Sequence, residues 1–191
     1  MQRHTRSRAV IEWIVILAVA VLAALLLRAF VVEPFFIPSG SMETTLDVGD
    51  RVLVNRLSYD FHSVHRGDII VFSKPPHDVL PGINDLIKRV IGLPGETITA
   101  HGGWVYINGT RLQENWLPEQ YRGITTFPTH VPGCLPSSPP SSCIVPRGEY
   151  FVMGDHRNDS EDSRMIGPIP GHLIVGRAFL RVWPLSRIGF L

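Results

Sequence analysis

The stretch Trp104-Val105-Tyr106-Ile107-Asn108-Gly109-Thr110-Arg111-Leu112 decides the fold class. A run of aromatic and β-branched residues leads into Asn-Gly, the dipeptide that most readily supplies the positive φ angles of a type I′ turn, and a second run follows it. This predicts a β-hairpin. Outward from it, Arg51–Leu57, Asp68–Ser73, Glu96–Ala100 and Glu149–Met153 are short, rich in β-branched or aromatic residues, and bounded by Gly, Pro and Asp. Leu173–Trp183 is long enough for a final strand, and no amphipathic helix of useful length interrupts the series. Two stretches leave the pattern: 75–85, and the loop-rich excursion 113–147, whose second half is rich in Pro and Ser. The expected class is mainly β, with strands that follow one another closely enough to pair antiparallel.

The N-terminal end is of another kind. From Val10 to Val32 the chain is nearly continuous hydrocarbon, broken only by Glu12 and Arg28. As a helix at about 1.5 Å per residue it would reach about 34 Å, enough for a bilayer core of about 30 Å. The uncharged part, Trp13–Leu27, is short enough for a secretory signal, but Arg28-Ala29-Phe30-Val31-Val32-Glu33-Pro34 offers no pair of small residues for a cut. A retained single-pass anchor over 10–32 is therefore expected. Arg3, Arg6 and Arg8 make residues 1–9 a basic head, which places the N-terminus in the cytoplasm and residues 33–191 outside it. In that oxidising setting Cys134 and Cys143, at the flanks of a Pro/Ser loop, are expected to form a disulfide.

Charge narrows the partners. With 18 basic and 17 acidic residues there is no concentrated basic face of the kind that nucleic acid requires. No cofactor or metal is expected: two Cys without a clustered His pair make no ligand set, and phosphate-cradling loops are absent. The chain is expected to be monomeric. Gly-x-Ser-x-Gly, His-Glu-x-x-His and Ser-x-x-Lys are also missing. Asp155-His156 is a candidate for part of a Ser-His-Asp triad, whose members come from distant segments. A Ser–Lys pairing is stronger. Ser39-Gly40-Ser41 makes a turn a few residues past the anchor, and Lys88, one of only two lysines, lies in Leu86-Ile87-Lys88-Arg89-Val90, where alternation puts it on the face of Leu86 and Val90. An ammonium buried there loses affinity for its proton and becomes a usable base.

Four segments, in order, resemble the sequence boxes of bacterial type I signal peptidases (leader peptidases): Ile37-Pro38-Ser39-Gly40-Ser41-Met42, Gly67–Phe72, Ile87–Glu96 and Gly154–Arg164. The resemblance runs from the anchor to about Arg181. It implies a membrane-bound serine endopeptidase on an antiparallel β-sheet catalytic domain at the outer face of the cytoplasmic membrane. Its implied substrates are the signal peptides of secreted preproteins, cut after small residues at −1 and −3; its other contact is the lipid bilayer. It also implies a Ser–Lys dyad of Ser41 and Lys88, and an oxyanion hole from the Ser41 backbone N–H and the Ser39 hydroxyl. Ser160 is expected to hydrogen-bond and orient Lys88, and Asp162 and Arg164 to form a supporting ion pair. Phe35, Ile37 and Ile87 flank the dyad and are expected to wall the substrate pocket, while Phe35, Phe36 and Trp183 are expected to form a lipid-facing rim. Thr44 stands where the family usually has Pro, and His156 where it has Asn. Two rival readings are a Ser–Lys repressor-type protease, opposed by the anchor and by the lack of a DNA-binding helix-turn-helix, and a membrane-tethered β module without catalysis.

Overall fold

The computed structural model describes residues 12–23, 25, 31–75, 84–136 and 141–191. Its strands are, in chain order, β1 (Val32–Phe36), β2 (Arg51–Asn55), β3 (Ile69–Ser73), β4 (Asp85–Gly92), β5 (Thr97–His101), β6 (Trp104–Ile107), β7 (Thr110–Arg111), β8 (Ser142–Ile144), β9 (Glu149–Met153), β10 (Ile169–Pro170), β11 (Ile174–Trp183) and β12 (Gly189–Phe190). They form two antiparallel sheets. The larger has the order β1-β2-β11-β3-β4-β9-β10 with β12 on β11; the smaller has the order β7-β6-β5-β8. The β6–β7 hairpin turns at Asn108 (φ 50°) and Gly109 (φ 80°), the conformation that Asn-Gly favours.

β4 lies inside the large sheet between β3 and β9 and is buried from Leu86 to Gly92. Burial on both faces explains why apolar residues stand at both sets of alternate positions, interrupted at mid-strand by Lys88 and Arg89. Ile87 joins a cluster with Ile69, Val71, Ile37, Met42 and Leu46, whereas Leu86 and Val90 pack with Ile70 and Phe72. Lys88 pairs with Ile70 in the ladder, so it stands on the second of these faces. A third cluster, with Ile98, Val105, Val131, Cys143, Phe151 and Met153, joins the small sheet to β9.

Several elements differ from their expectation. β1, β10 and β12 were not marked by any pattern; the two residues of β10 or β12 carry no periodicity, and β1 contains Pro34, tolerated because among the described residues this strand lies at the sheet edge beside β2. The excursion 113–147 contributes β8, which pairs with β5 and holds Cys143 in its disulfide to Cys134. The 75–85 stretch is described only at its ends. At the N-terminus, residues 12–23 are helical and exposed; the basic head 1–9 and positions 10, 11, 24 and 26–30 of the expected anchor lie outside the described residues. Among those described, no helix is long and apolar enough to cross a membrane. Val32, expected as the last anchor residue, is instead the first residue of β1, where it pairs opposite Asn55.

Candidate active site

After β1 the chain makes a short 3₁₀ turn, Gly40–Met42, fixed at its C-terminal end by Met42, which is fully buried among Ile37, Leu46 and Val52. The turn carries Ser41 to the side chain of Lys88. Although 47 residues apart, they meet: Lys88 Nζ lies 2.7 Å from Ser41 Oγ and also donates to the Ile87 carbonyl at 3.1 Å. Lys88 is 3% exposed. Burial pulls its pKa down from 10.5 to about 8, against the opposing pull of Asp162, Glu161 and Asp155. It shares its hydrogen-bond distance with a hydroxyl, not a carboxylate.

Two of those carboxylates, Asp155 and Asp162, are engaged elsewhere. Arg89, next to Lys88 in sequence, grips Asp155 through Nε and Nη2, at 2.9 and 2.6 Å, and Asp155 also accepts from Thr45 Oγ1 at 2.6 Å. Thr45 follows Ser41 closely, so one buried carboxylate fastens β4 to the segment that bears the serine. Asp162 and Arg164 form a two-pronged pair, with Nε and Nη2 each at 2.8 Å, and Asp162 also accepts the Gly154 N–H at 3.0 Å. The loop held in this way touches Ser41 directly: the His156 N–H donates to the Ser41 carbonyl at 3.1 Å. A Cβ on Gly154 would lie 2.4 Å from that carbonyl and 2.2 Å from Ser160 Oγ, so only glycine lets the loop come this close.

A buried serine hydroxyl facing a desolvated amine is an arrangement for covalent catalysis, in which the amine takes the hydroxyl proton as the oxygen attacks. A signal peptidase family model (signal peptidase, peptidase S26) matches residues 10–183. The chain belongs to the signal peptidase family. It is 44% identical over 185 residues to the "Probable signal peptidase I-1" of Synechocystis, covering 94% of this chain and 86% of the relative. It is 35% identical over 184 residues to a "Signal peptidase IB" of Staphylococcus aureus, covering 95% and 93%. A crystal structure of a signal peptidase I from Enterococcus faecalis superimposes on 61% of this chain and 97% of its own, at 32% identity and a TM-score of 0.47. As a signal peptidase the chain is a serine peptidase, a hydrolase.

The other residues singled out in this signal peptidase fall as follows. Ser39 precedes the turn, is exposed, and does not spend its side chain on capping. Ser160 departs from its expected contact: its Oγ is buried without a hydrogen-bond partner, beside Gly154 rather than on Lys88. It borders a cavity of about 560 Å³ between Thr126–Pro128 and Arg157–Met165. Ile37 (1% exposed) and Ile87 pack inside the core, with Phe35 half-buried against them. Phe35 cannot join a lipid-facing rim, because neighbours on a strand point to opposite faces and Phe36 takes the outer one. The Asp155-His156 triad does not form: Asp155 serves Arg89 and Thr45, and the His156 ring packs on Tyr121 at 4.7 Å between centroids.

Sequence reasoning missed the Arg89–Asp155–Thr45 link and the backbone bond from His156. The only signal was the position of Arg89 beside Lys88. A second missed group is the buried pair of Arg157 with Glu114.

Proposed function

We propose that this chain is a membrane-bound endopeptidase that removes N-terminal signal peptides from exported preproteins, with Ser41 as nucleophile and Lys88 as general base. The observation that carries the reading is the 2.7 Å approach of Lys88 Nζ to Ser41 Oγ in a site where the amine is desolvated. In the neutral form the amine takes the Ser41 proton while Oγ attacks the scissile carbonyl; the resulting ammonium then protonates the amine that leaves as the peptide C–N bond breaks, and water, deprotonated by the same amine, attacks the acyl ester, whose bond to Oγ breaks as Lys88 returns the proton to Ser41. As a residue of the first helical turn, Ser41 has a backbone N–H without an intrahelical acceptor, and it can turn this donor to the oxyanion together with the exposed Ser39 hydroxyl. Asp162 and Arg164 hold the loop behind the site and take no part in proton transfer.

We assign the specificity for small residues at −1 and −3 to the surface beside the dyad at Phe35, half-buried, with Ile37 and Ile87 packed behind it. Such walls exclude large side chains by overlap, which discriminates more sharply than the attraction of one methylene, about 1 to 3 kcal/mol. The bilayer is the surface on which the reaction occurs, reached through the apolar N-terminal segment that precedes β1. Pairing puts Phe36, Arg51 and Trp183 on one face of the large sheet, and Pro34, Leu53, Leu180 and Phe190 beside them. Phe36 (59% exposed), Trp183 (51%) and Phe190 (87%) are large apolar side chains open to the surroundings, as expected of a face that meets lipid.

The test is the detergent-purified chain with a preprotein that has Ala or Leu just before the cut, and products identified by mass spectrometry. Ser41-dependent cleavage of the Ala substrate alone is expected; efficient cleavage of the Leu substrate overturns the pockets, and no cleavage of either overturns the enzyme. Liposome flotation of a chain starting at Val32 tests the apolar face: binding that weakens in Phe36→Ser/Phe190→Ser supports it, and no binding refutes it.

A further inference from the structure

Away from the dyad, a further buried ion pair joins Glu114 to Arg157. Arg157 is 1% exposed, and its Nη2 lies 2.5 Å from Glu114 Oε1, itself buried. Two buried charges are expensive to desolvate, so the pair needs further bonds that use the remaining donors. It has them: Arg157 Nε donates to the Gly154 carbonyl at 3.1 Å and Nη1 to Thr125 Oγ1 at 3.1 Å. Glu114 and Thr125 belong to the excursion, as does Tyr121, whose ring packs on His156. The excursion thus reaches the loop 154–158 at Arg157 and His156, and the same loop gives its His156 N–H to the Ser41 carbonyl.

We propose that the excursion is a positioning element: Glu114 and Thr125, through Arg157, together with Tyr121 on His156, set the place of Ser41 by fixing the loop that holds its carbonyl. The proposal rests on the reading of Ser41 as nucleophile. None of the three touches the reacting atoms. Their effect is on the alignment of Oγ with Nζ and with the scissile carbonyl, and small misplacements at a reacting centre are costly.

The test compares the full-length chain with Glu114→Gln, Thr125→Val and Thr125→Ser, by preprotein turnover, melting temperature and hydrogen–deuterium exchange. Glu114→Gln should lower kcat by about 10-fold to 100-fold with KM within about twofold. Thr125→Val, which removes one hydrogen bond and no charge, should lower kcat by about threefold to tenfold, and Thr125→Ser should restore it. Exchange should rise at 154–158 and at 39–42 while Thr125→Val remains folded, its melting temperature lower by no more than about 10 °C. If Glu114→Gln does not fold, Thr125→Val decides. Unchanged kcat and exchange in Thr125→Val, or a rise in KM alone, overturn the proposal. If the wild-type chain cuts no preprotein, the enzymatic reading has failed, whereas exchange at 39–42 still tells whether the excursion holds the Ser41 turn.

Discussion

Lys88 and Arg89 are neighbours on β4, and both are buried, yet the molecule treats them in opposite ways. Arg89 has a full set of partners: two prongs on Asp155 and a donated bond to the Gly67 carbonyl at 2.8 Å. Lys88 has a hydroxyl and one backbone carbonyl, and its proton is held weakly. A strand's alternation sends the two side chains to different faces, one toward the serine and one toward the carboxylate. Burial with a counter-ion produces a fixed charge that braces the loop; burial without one produces a group ready to give up its proton.

The comparison breaks most completely if the reactive member is replaced. Ser41→Ala and Lys88→Ala should each lower kcat/KM by about 10⁴-fold or more, and the double variant should lose little beyond either single one, because the two act as a unit. Lys88→Arg should fail equally, since a guanidinium remains charged and cannot serve as base. Near-normal turnover by Lys88→Arg would abolish the distinction drawn between these neighbours.

Replacing the partner of the fixed member comes next. Asp155→Asn leaves the Arg89 guanidinium buried without its counter-ion, a change expected to cost about 3 to 5 kcal/mol of folding stability in chemical denaturation. Activity should fall with it, because Asp155 also holds Thr45 close behind Ser41. A variant as stable as the wild type would mean that Arg89 is braced by its carbonyl contact alone. Smaller again is Ser39→Ala, which removes one oxyanion donor and should lower kcat by about 100-fold to 1000-fold with the fold intact. If it is neutral, the oxyanion is held elsewhere.

Much of this was legible in the chain. The large sheet announced itself in β-branched runs, and the hairpin in Asn108-Gly109, because both signals are local. Lys88 stood out as one of two lysines within an apolar run. The partner of Arg89 was not legible, since it lies 66 residues away, and an ion pair leaves no periodic trace in a sequence. The Glu114–Arg157 pair was hidden for the same reason, inside a stretch that read only as loop. β10 and β12 are too short to alternate, and the position of Ser160 depends on how the loop closes over Gly154.

The smallest expected effect sharpens the comparison further, because it separates the cost of an unpaired buried amine from its use. Lys88 titrates near 8 in the folded chain and near 10.5 when free. Below pH 8 both states carry the proton, and the fold bears the whole cost of burying the charge, at most about 3 kcal/mol from that difference. Between pH 8 and 10.5 the unfolded chain binds more protons than the folded one, so stability rises with pH through this window. Activity should rise through its lower edge too, as the amine becomes neutral and able to accept the serine proton. Lys88→Met keeps the apolar stem and removes the charge. This variant should therefore be inactive yet more stable than the wild type at pH 7, and its advantage should shrink as the pH is raised from 8 to above 10. Denaturant titrations of both chains at pH 7, 9 and 10.5 measure the gap. A gap that is constant with pH would mean that Lys88 keeps its ordinary affinity for the proton, and that its burial beside Ser41 does not make it a base.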